Sequence, residues 1–111
     1  NLLIQRFEGE WTGEMLIQQL REVAADPDYR PELHLLNDFR KAKLLLEMDR
    51  LSEMSREIEA SFPACGRRSA IVVDSPRESA CAVLHARTPQ DGREIRVFST
   101  CEAALYWLER E

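Results

Sequence analysis

The chain has 111 residues, of which 44% are hydrophobic and 32% are charged, and its net charge is -5. This length and composition fit one globular domain over residues 1–111 and exclude a disordered chain, which has too little apolar surface to form a core. Its apolar runs stay far below the roughly 18 residues that cross a bilayer, and no signal-peptide pattern opens the sequence. We therefore expect a cytoplasmic protein without a membrane span.

Charge and cysteine usage exclude several classes of site. Nucleic-acid binding needs a clustered excess of Lys and Arg, whereas this chain is acidic and its densest basic stretch, Arg40–Lys43, has three cations. Cys65, Cys81 and Cys101 lack the CxxC spacing of a zinc site, and their odd number does not suit a disulfide framework. The chain also has no glycine-rich phosphate loop. We expect neither a metal nor an organic cofactor.

The first strand and helix are predicted before residue 27. Leu2–Glu8 is apolar with a polar interruption, which predicts a strand that ends before Gly9. From Thr12 the apolar residues recur at the spacing of an amphipathic helix, which we expect to end near Asp26. Two prolines predict a loop over Asp26–Pro31, because proline biases the residue before it toward extended backbone.

The second strand is predicted over Glu32–Asp38, and the polar segment Phe39–Lys43 is expected to connect it to a helix. Apolar residues at helical spacing over Leu44–Phe62, with the small Ser55 filling one step, predict that second helix. Pro63 is expected to end it.

The third strand is predicted over Ser69–Asp74, where four consecutive apolar residues indicate a strand that is buried on both faces. Ser75–Glu78 (SPRE) has Ser at the cap, Pro at the first helical position and Glu in the first turn. This is a capping box, and it predicts a third helix that runs to about His85.

The fourth strand is predicted over Arg93–Phe98, whose strict alternation leaves one face in water. Ser99–Glu102 is a second capping box and predicts a final helix. We expect Trp107 of this helix to pack over the last strand, whereas Tyr106 suits either solvent or a partner surface. The buried stripe of the helix is predicted at Cys101, Ala104, Leu105 and Leu108.

The order of elements predicts an α/β fold. Four strand–helix units in the order βαβαβαβα have the spacing of right-handed crossovers in a mainly parallel four-stranded sheet. Alternation in the fourth strand, and the mixed character of the first two, predict that helices leave part of one sheet face uncovered.

Several short motifs follow this layout: GEWT at 9–12, DPDYRP at 26–31, HLLNDFR at 34–40, AIVV at 70–73 and VFSTCEAALYWL at 97–108. In these motifs the chain resembles the SpoIIAA-like proteins of the STAS group, which is related in shape to lipid-binding Sec14 domains. The resemblance implies a sheet wound as a βα superhelix. It also implies an extra N-terminal strand in many members, which residues before Asn1 would supply.

One departure from that family concerns phosphorylation. True anti-sigma-factor antagonists carry a phosphorylatable serine at the start of the second helix, whereas the corresponding stretch Lys43–Asp49 has no Ser or Thr. We therefore predict that this protein is not switched in that way. A stoichiometric phosphate on this stretch or on the nearby Ser52 would contradict the prediction.

A candidate site lies at the carboxyl ends of the strands, where open α/β sheets bind ligands. Its residues could hold a small polar or anionic ligand or contact a partner. The alternative is purely structural, with Thr12 and the two serines as helix caps and the aspartates accepting loop amides or pairing with Arg40 or Arg77. The candidate residues are Trp11, Asp38, Arg40, Asp74, Ser75 and Ser99.

No catalytic set emerges from the sequence. Nothing places a substrate between Asp38 and Asp74, and His34 lies in a predicted strand while His85 lies near a helix C-terminus. Cys101 is in the first turn of the last helix, where the dipole can lower a thiol pKa, but it also opens the buried stripe, which favours an inert core residue. We therefore expect a protein that is not an enzyme.

Two functions remain open. The first is a regulatory module that binds a protein partner or forms a homodimer over the uncovered sheet face. The second is a small-molecule or lipid-binding domain, as the Sec14 likeness implies, with the ligand at the carboxyl ends of the strands or between the second helix and the sheet. The second requires a cavity of roughly a few hundred Å³, which we expect to be lined by Phe39, Leu44, Leu45 and Met48 with Arg40 at its mouth.

Overall fold

A computed structural model describes residues 2–61, 68–87 and 94–110 of the chain. Strands and helices alternate, and a short 3₁₀ turn over Met48–Arg50 precedes the second helix. The elements are β1 (Leu2–Thr12), α1 (Gly13–Ala25), β2 (His34–Leu45), α2 (Leu51–Ser61), β3 (Arg68–Val72), α3 (Pro76–Arg87), β4 (Glu94–Phe98) and α4 (Cys101–Glu109). The predicted helix end at Pro63, the predicted strand start at Arg93 and Cys65 lie outside the described residues.

The four strands form one parallel sheet in the order β1-β2-β3-β4. Each connection between neighbouring strands carries a helix, so the sheet is wound in one direction. This confirms the predicted α/β architecture. Within the described ranges, no helix has the length and apolar character to cross a membrane.

Helices cover both faces of the sheet, as β3 shows. Ile71 and Val73 of the β3 segment pack against Ala82 of α3 on one face. Ala70 and Val72 contact α4 on the other face, and both are fully buried. The prediction that this strand is buried on both sides is therefore confirmed. The first face also receives α1 and α2, whereas α4 is the helix on the second.

The face that carries α4 is only partly covered. α4 packs on β2, β3 and β4. Ile4 of β1 is level with Leu36 of β2 and points to the same side, yet Ile4 is 41% exposed while Leu36 is 1% exposed. Arg6, Glu8 and the neighbouring Lys41 continue this exposed surface. We call the surface formed by Ile4, Arg6, Glu8 and Lys41 the open face; it confirms the predicted gap in helix coverage.

The second strand is longer than predicted, because the segment Phe39–Lys43 continues β2 instead of connecting it to a helix. A β-bulge causes the difference: the pairing with β1 passes from Asp38 directly to Lys41, opposite Arg6 and Glu8. The bulged strand therefore has one extra residue, which breaks its alternation of buried and exposed positions.

The bulge explains why the sequence pattern of Phe39–Lys43 indicated a connection and not a strand. Phe39 stacks on Phe7 with 4.4 Å between the ring centroids, and Ala42 and Leu44 return to the same core cluster. Two residues lie between Phe39 and Ala42, where an unbroken strand would have one between neighbours on the same face. The sequence therefore reads as polar and irregular although it is a strand.

The second helix begins at Leu51 and not at the predicted Leu44. Leu44 belongs to β2, and Met48, which the helical spacing had included, lies in the 3₁₀ turn and is 45% exposed. Ser55 is 1% exposed, so its small side chain does fill a buried step of the helix as expected. The first strand is also longer than predicted, since Gly9 adopts a φ of 84° and β1 continues beyond it.

Candidate functional site

Asp38 and Arg40 form a closed pair across the bulge. The Asp38 carboxylate accepts the Arg40 backbone N–H at 3.1 Å, and the Arg40 guanidinium donates to both carboxylate oxygens at 2.9 Å. The Cys101 thiol donates to the same carboxylate at 3.5 Å. Asp38 is only 6% exposed. The pair thus satisfies the backbone amide that the bulge removes from the strand ladder.

The pair is charged at neutral pH. The side-chain hydrogen bond from Arg40 lowers the pKa of Asp38 from 3.8 to about 2, although burial acts in the opposite direction. The same hydrogen bond raises the pKa of Arg40 above its usual value. A carboxylate of such low pKa is a weak base at neutral pH, which argues against proton transfer by Asp38.

A cleft of about 300 Å³ lies beside this pair. Among the described residues, no hydrogen bond or ion pair engages the side chains of Arg6, Glu8, Lys41 or Asp74. These charged groups are therefore available to a binding partner. The cleft is lined by Arg6, Phe7, Glu8, Asp38, Arg40, Lys41 and Asp74.

The structure brings together three of the six predicted site residues, Asp38, Arg40 and Asp74. Trp11 does not join them, because its ring packs edge-on against Phe7 at 4.9 Å on the opposite side of the sheet. The indole N–H of Trp11 donates to the Glu8 carbonyl at 3.0 Å, so this donor is already hydrogen-bonded within the chain.

Ser75 belongs to the start of α3 and does not line the cleft. Its hydroxyl donates to the carboxylate of Glu78, which is 6% exposed and also accepts the Leu44 N–H at 3.0 Å. Arg77 donates to the carbonyls of Leu44 and Leu46 at 3.1 Å. Burial raises the pKa of Glu78, but the hydrogen bonds outweigh it and the pKa is lowered. The SPRE motif therefore ties α3 to the end of β2.

Ser99 is exposed, and it is not the cap of α4 as predicted. Thr100 has the extended backbone of an N-cap, and its hydroxyl accepts the Ala103 N–H at 3.2 Å. The helix begins one residue later than the serine would require. The predicted packing of Trp107 is confirmed, since it is 5% exposed and lies 5.6 Å from the Phe98 ring, whereas Tyr106 is 69% exposed.

Cys101 is half-buried against the α4 core. Burial raises the pKa of its thiol, and the neighbouring Asp38 charge raises it further. Both effects oppose the helix dipole and keep the thiol protonated. The structure thus favours the inert core residue over the reactive nucleophile.

A second, apolar cavity of about 90 Å³ lies between the sheet and α1–α3. Phe39 and Leu44 line it as predicted, but Leu45 and Met48 do not, because both are exposed. Arg40 is not at its mouth, since the guanidinium is held by Asp38 on the other face of the sheet. The cavity is much smaller than the ligand-binding alternative requires.

The two histidines have structural partners. His34 Nδ1 accepts the Arg68 backbone N–H at 3.2 Å. His85 Nδ1 lies 2.8 Å from the Ser55 hydroxyl and its Nε2 lies 3.6 Å from Glu59, so it joins α3 to α2. Across the part of the chain that the structure describes, no three His, Cys, Asp or Glu side chains converge as a metal site requires.

Three cleft residues, Arg6, Glu8 and Lys41, were absent from the predicted site. Arg6 and Glu8 were inside the predicted first strand, and their parallel register with β2 carries them to the cleft. Lys41 was assigned to a connection. A signal for Arg6 and Glu8 was the alternation of charged residues with buried ones along β1, which places both on the side opposite to Phe7.

Comparison with known protein families and with curated proteins gives no match. Among solved structures, the chain is similar to an uncharacterised protein of the DUF3478 family from Shewanella loihica that has a SpoIIAA-like fold. The two share 22% sequence identity over 96% of this chain and 83% of that chain, with a TM-score of 0.56. A likeness at this identity concerns the fold alone. The chain therefore has the SpoIIAA-like fold, of the STAS type, that its sequence motifs resemble.

Proposed function

We propose that this chain is a cytoplasmic, non-enzymatic module that binds a protein through the open face and the adjoining cleft. The observation that carries the proposal is a sheet face that α4 covers over β2–β4 and at Leu2 of β1, and leaves exposed along β1 from Ile4 to Glu8. Ile4 remains 41% exposed there, on a face where Leu36, Ala70 and Val72 are buried.

The charges around Ile4 support a protein partner. Arg6, Glu8, Lys41 and Asp74 surround the cleft and have no ion-pair partners in the described part of the chain. Ile4 precedes Arg6 by two residues on the same side of β1, so an exposed apolar residue adjoins this charged surface, and protein interfaces combine apolar contacts with polar and charged ones. Apart from the aliphatic stems of its charged side chains, the cleft offers a small molecule little apolar contact, since Phe7 is the only nonpolar residue among its described lining and is 4% exposed.

The chemistry of the cleft argues against catalysis. Asp38 already accepts three hydrogen bonds from Arg40 and one from the Cys101 thiol. Neither the carboxylate nor the thiol is therefore poised to take a proton or attack a substrate. Arg40 donates two guanidinium hydrogen bonds to Asp38 although its side chain is 40% exposed. We therefore assign the pair mainly to the fold, and recognition mainly to the charged residues beside it.

Regulation by serine phosphorylation is not part of the proposal. Lys43–Asp49, the stretch that lacks Ser and Thr, forms the end of β2 and the 3₁₀ turn. Because α2 begins at Leu51, Ser52 lies in its first turn and is exposed. We expect Ser52 to remain unmodified when the protein is incubated with an anti-sigma kinase and ATP. Stoichiometric phosphate on Ser52 by mass spectrometry would contradict this expectation.

Amine cross-linking tests the proposed function. The only lysines of the chain, Lys41 and Lys43, are both exposed on β2, so apart from the N-terminal amine the reagent attaches at this surface. After cross-linking in cells of the native source, we expect peptides that join Lys41 to a protein. Arg6→Glu should abolish them, whereas Arg56→Glu, an equal charge change on α2, should not.

One outcome would refute the proposed function. Suppose mass spectrometry shows that one end of the cross-linking reagent has reacted with Lys41 while its other end is never joined to a protein. In that case the open face has no protein partner. A ligand inside the apolar core has less support, because the 90 Å³ cavity is smaller than an engineered cavity of roughly 150 Å³ that admits benzene. A small molecule retained in native mass spectrometry would favour the ligand-binding alternative.

A further inference from the structure

We infer that the partner of the open face is a second copy of this chain, docked about a two-fold axis that opposes Arg6 of one copy to Glu8 of the other. This inference rests on the proposed function and names its partner. It follows from the distribution of charge on the open face, compared with that in a groove between α1 and α2 and with the net charge of the chain.

The open face carries both signs of charge. Arg6 and Lys41 are cationic, Glu8 and the adjoining Asp74 are anionic, and the Asp38–Arg40 pair is neutral as a unit. A surface of two signs without net charge can be complementary to itself, whereas a surface of one sign repels its own copy.

Another groove in the described part of the chain shows the contrast. It lies between α1 and α2 and has a volume of about 450 Å³. Four glutamates line it against one arginine, so two copies of this groove would repel each other. The chain as a whole is also acidic, with a net charge of -5, and this disfavours self-association through most of its surface. The charged lining residues of the groove are Glu14, Glu47, Glu53, Glu57 and Arg50.

The strand geometry gives the symmetry. Arg6 and Glu8 are two residues apart on β1 and so point to the same side, about 7 Å from each other along the strand. In the proposed dimer the sheets of the two copies face each other. A two-fold axis that lies between them, perpendicular to β1 and level with Phe7, makes the two copies of β1 antiparallel. It brings Arg6 opposite the partner's Glu8 and, by the same rotation, Glu8 opposite the partner's Arg6. Such an isologous contact closes as a dimer and leaves no free binding surface.

The dimer should be weak and sensitive to salt. The open face has one exposed apolar residue, Ile4, so reciprocal ion pairs supply much of its attraction. The contact falls at or below the small end of specific interfaces, about 1,200 Å² in total. Exposed charge pairs are screened as ionic strength rises. We therefore expect dimerisation in the micromolar range or weaker, and further weakening at high salt.

Sedimentation equilibrium of the purified chain tests the inference, with charge-reversed variants. Arg6→Glu should weaken dimerisation at least about tenfold, because it opposes two acids at both ends of the contact. The double exchange Arg6→Glu with Glu8→Arg should restore the dimer to within about threefold of the native constant, since the pairs re-form with reversed polarity. The matched controls on α2, Arg56→Glu and the double exchange Glu53→Arg with Arg56→Glu, should leave dimerisation unchanged.

The outcomes separate this inference from the proposed function. A chain that stays monomeric at millimolar concentration and low salt overturns the inference. A dimer that Arg6→Glu does not weaken, or that the double exchange does not restore, also overturns it. If the inference fails while Lys41 still cross-links to a different protein in cells, the proposed function stands with another partner. Thermal unfolding of each variant should match the native chain, because Arg6 and Glu8 are exposed and make no ion pairs in the described residues.

Discussion

Replacing Asp38 by Asn tests whether the closed pair stabilises the bulge of β2. The substitution keeps the shape of the side chain and one amide-accepting oxygen, but it removes the negative charge that the Arg40 guanidinium binds through two hydrogen bonds. Arg40 itself is 40% exposed at its side chain and can return to water. We therefore expect the free energy of unfolding to fall by the contribution of a charge-assisted ion pair, without the additional penalty of leaving the Arg40 charge buried and unpaired.

The size of the effect follows from the pKa of Asp38. A shift from 3.8 to about 2 corresponds to about 2.4 kcal/mol at neutral pH. Because Arg40 is partly exposed and screened by solvent, we expect a loss of about 1–2 kcal/mol in the free energy of unfolding. The pKa is lowered on folding, so this contribution is complete above the unfolded value of 3.8 and is lost as the pH falls toward about 2.

Urea unfolding at a series of pH values measures this contribution. The native chain and Asp38→Asn should differ by about 1–2 kcal/mol at pH 7, and the difference should close between about pH 4 and pH 2. Glu94→Gln is the control, since Glu94 pairs with Arg96 on the surface with both side chains more than half exposed, and should cost less than about 0.5 kcal/mol. Equal stability of Asp38→Asn and the native chain at pH 7, or a difference that persists below pH 2, would refute the reasoning.

Three further predictions concern the core around the site. Glu78→Gln should cost about 1–3 kcal/mol in urea unfolding, because a buried carboxylate that accepts the Leu44 N–H loses its charge; an unchanged midpoint would contradict the tie between α3 and β2. Cys101 should react with iodoacetamide at least about tenfold more slowly in the native chain than in urea. Burial and the Asp38 charge raise the pKa of the thiol and outweigh the opposite effect of the α4 helix dipole. Peptide mapping that shows equal or faster native labelling would restore the reactive alternative. Trp107→Leu should cost more than about 2 kcal/mol in thermal unfolding, since the ring is 5% exposed and lies between Arg68 and Arg96 at 5.5 and 5.2 Å. Tyr106→Leu, at 69% exposure, is its matched control and should stay within about 0.5 kcal/mol; similar losses for the two would contradict the assigned packing.

Periodicity predicted elements well where one period held throughout. The spacing of apolar residues gave α1 nearly to its ends, and the consecutive apolar residues of β3 gave a strand that is buried on both faces. It failed where two periods met. Leu44 is the last buried residue of β2, and its distance from Leu51 equals two helical turns, so a strand end and a helix start read as one helix.

The candidate site shows a different limit of sequence reasoning. The pairing of Asp38 with Arg40 was foreseen as the structural alternative, because residues at a strand end commonly satisfy each other. Ser99 failed as a cap, since Thr100 next to it has the same chemistry and the local sequence does not decide between two adjacent hydroxyls. The position of Arg6 beside Asp38 depends on the register of two strands that are separated by a helix, and that register is a tertiary property.

The bulge connects the stability of the sheet with the surface that we propose for binding. An extra residue in β2 frees one backbone amide, and Asp38 satisfies it while holding Arg40 in a neutral pair. The same extra residue shifts the alternation, so that Lys41 falls beside Glu8 on the exposed side and does not follow Phe39 into the core. Asp38, which maintains the bulge, thus accepts four hydrogen bonds, while Lys41, which the bulge displaces, has no ion-pair partner among the described residues. Because a binding surface needs charged groups that are free to pair, this division of charges supports the recognition role that we propose.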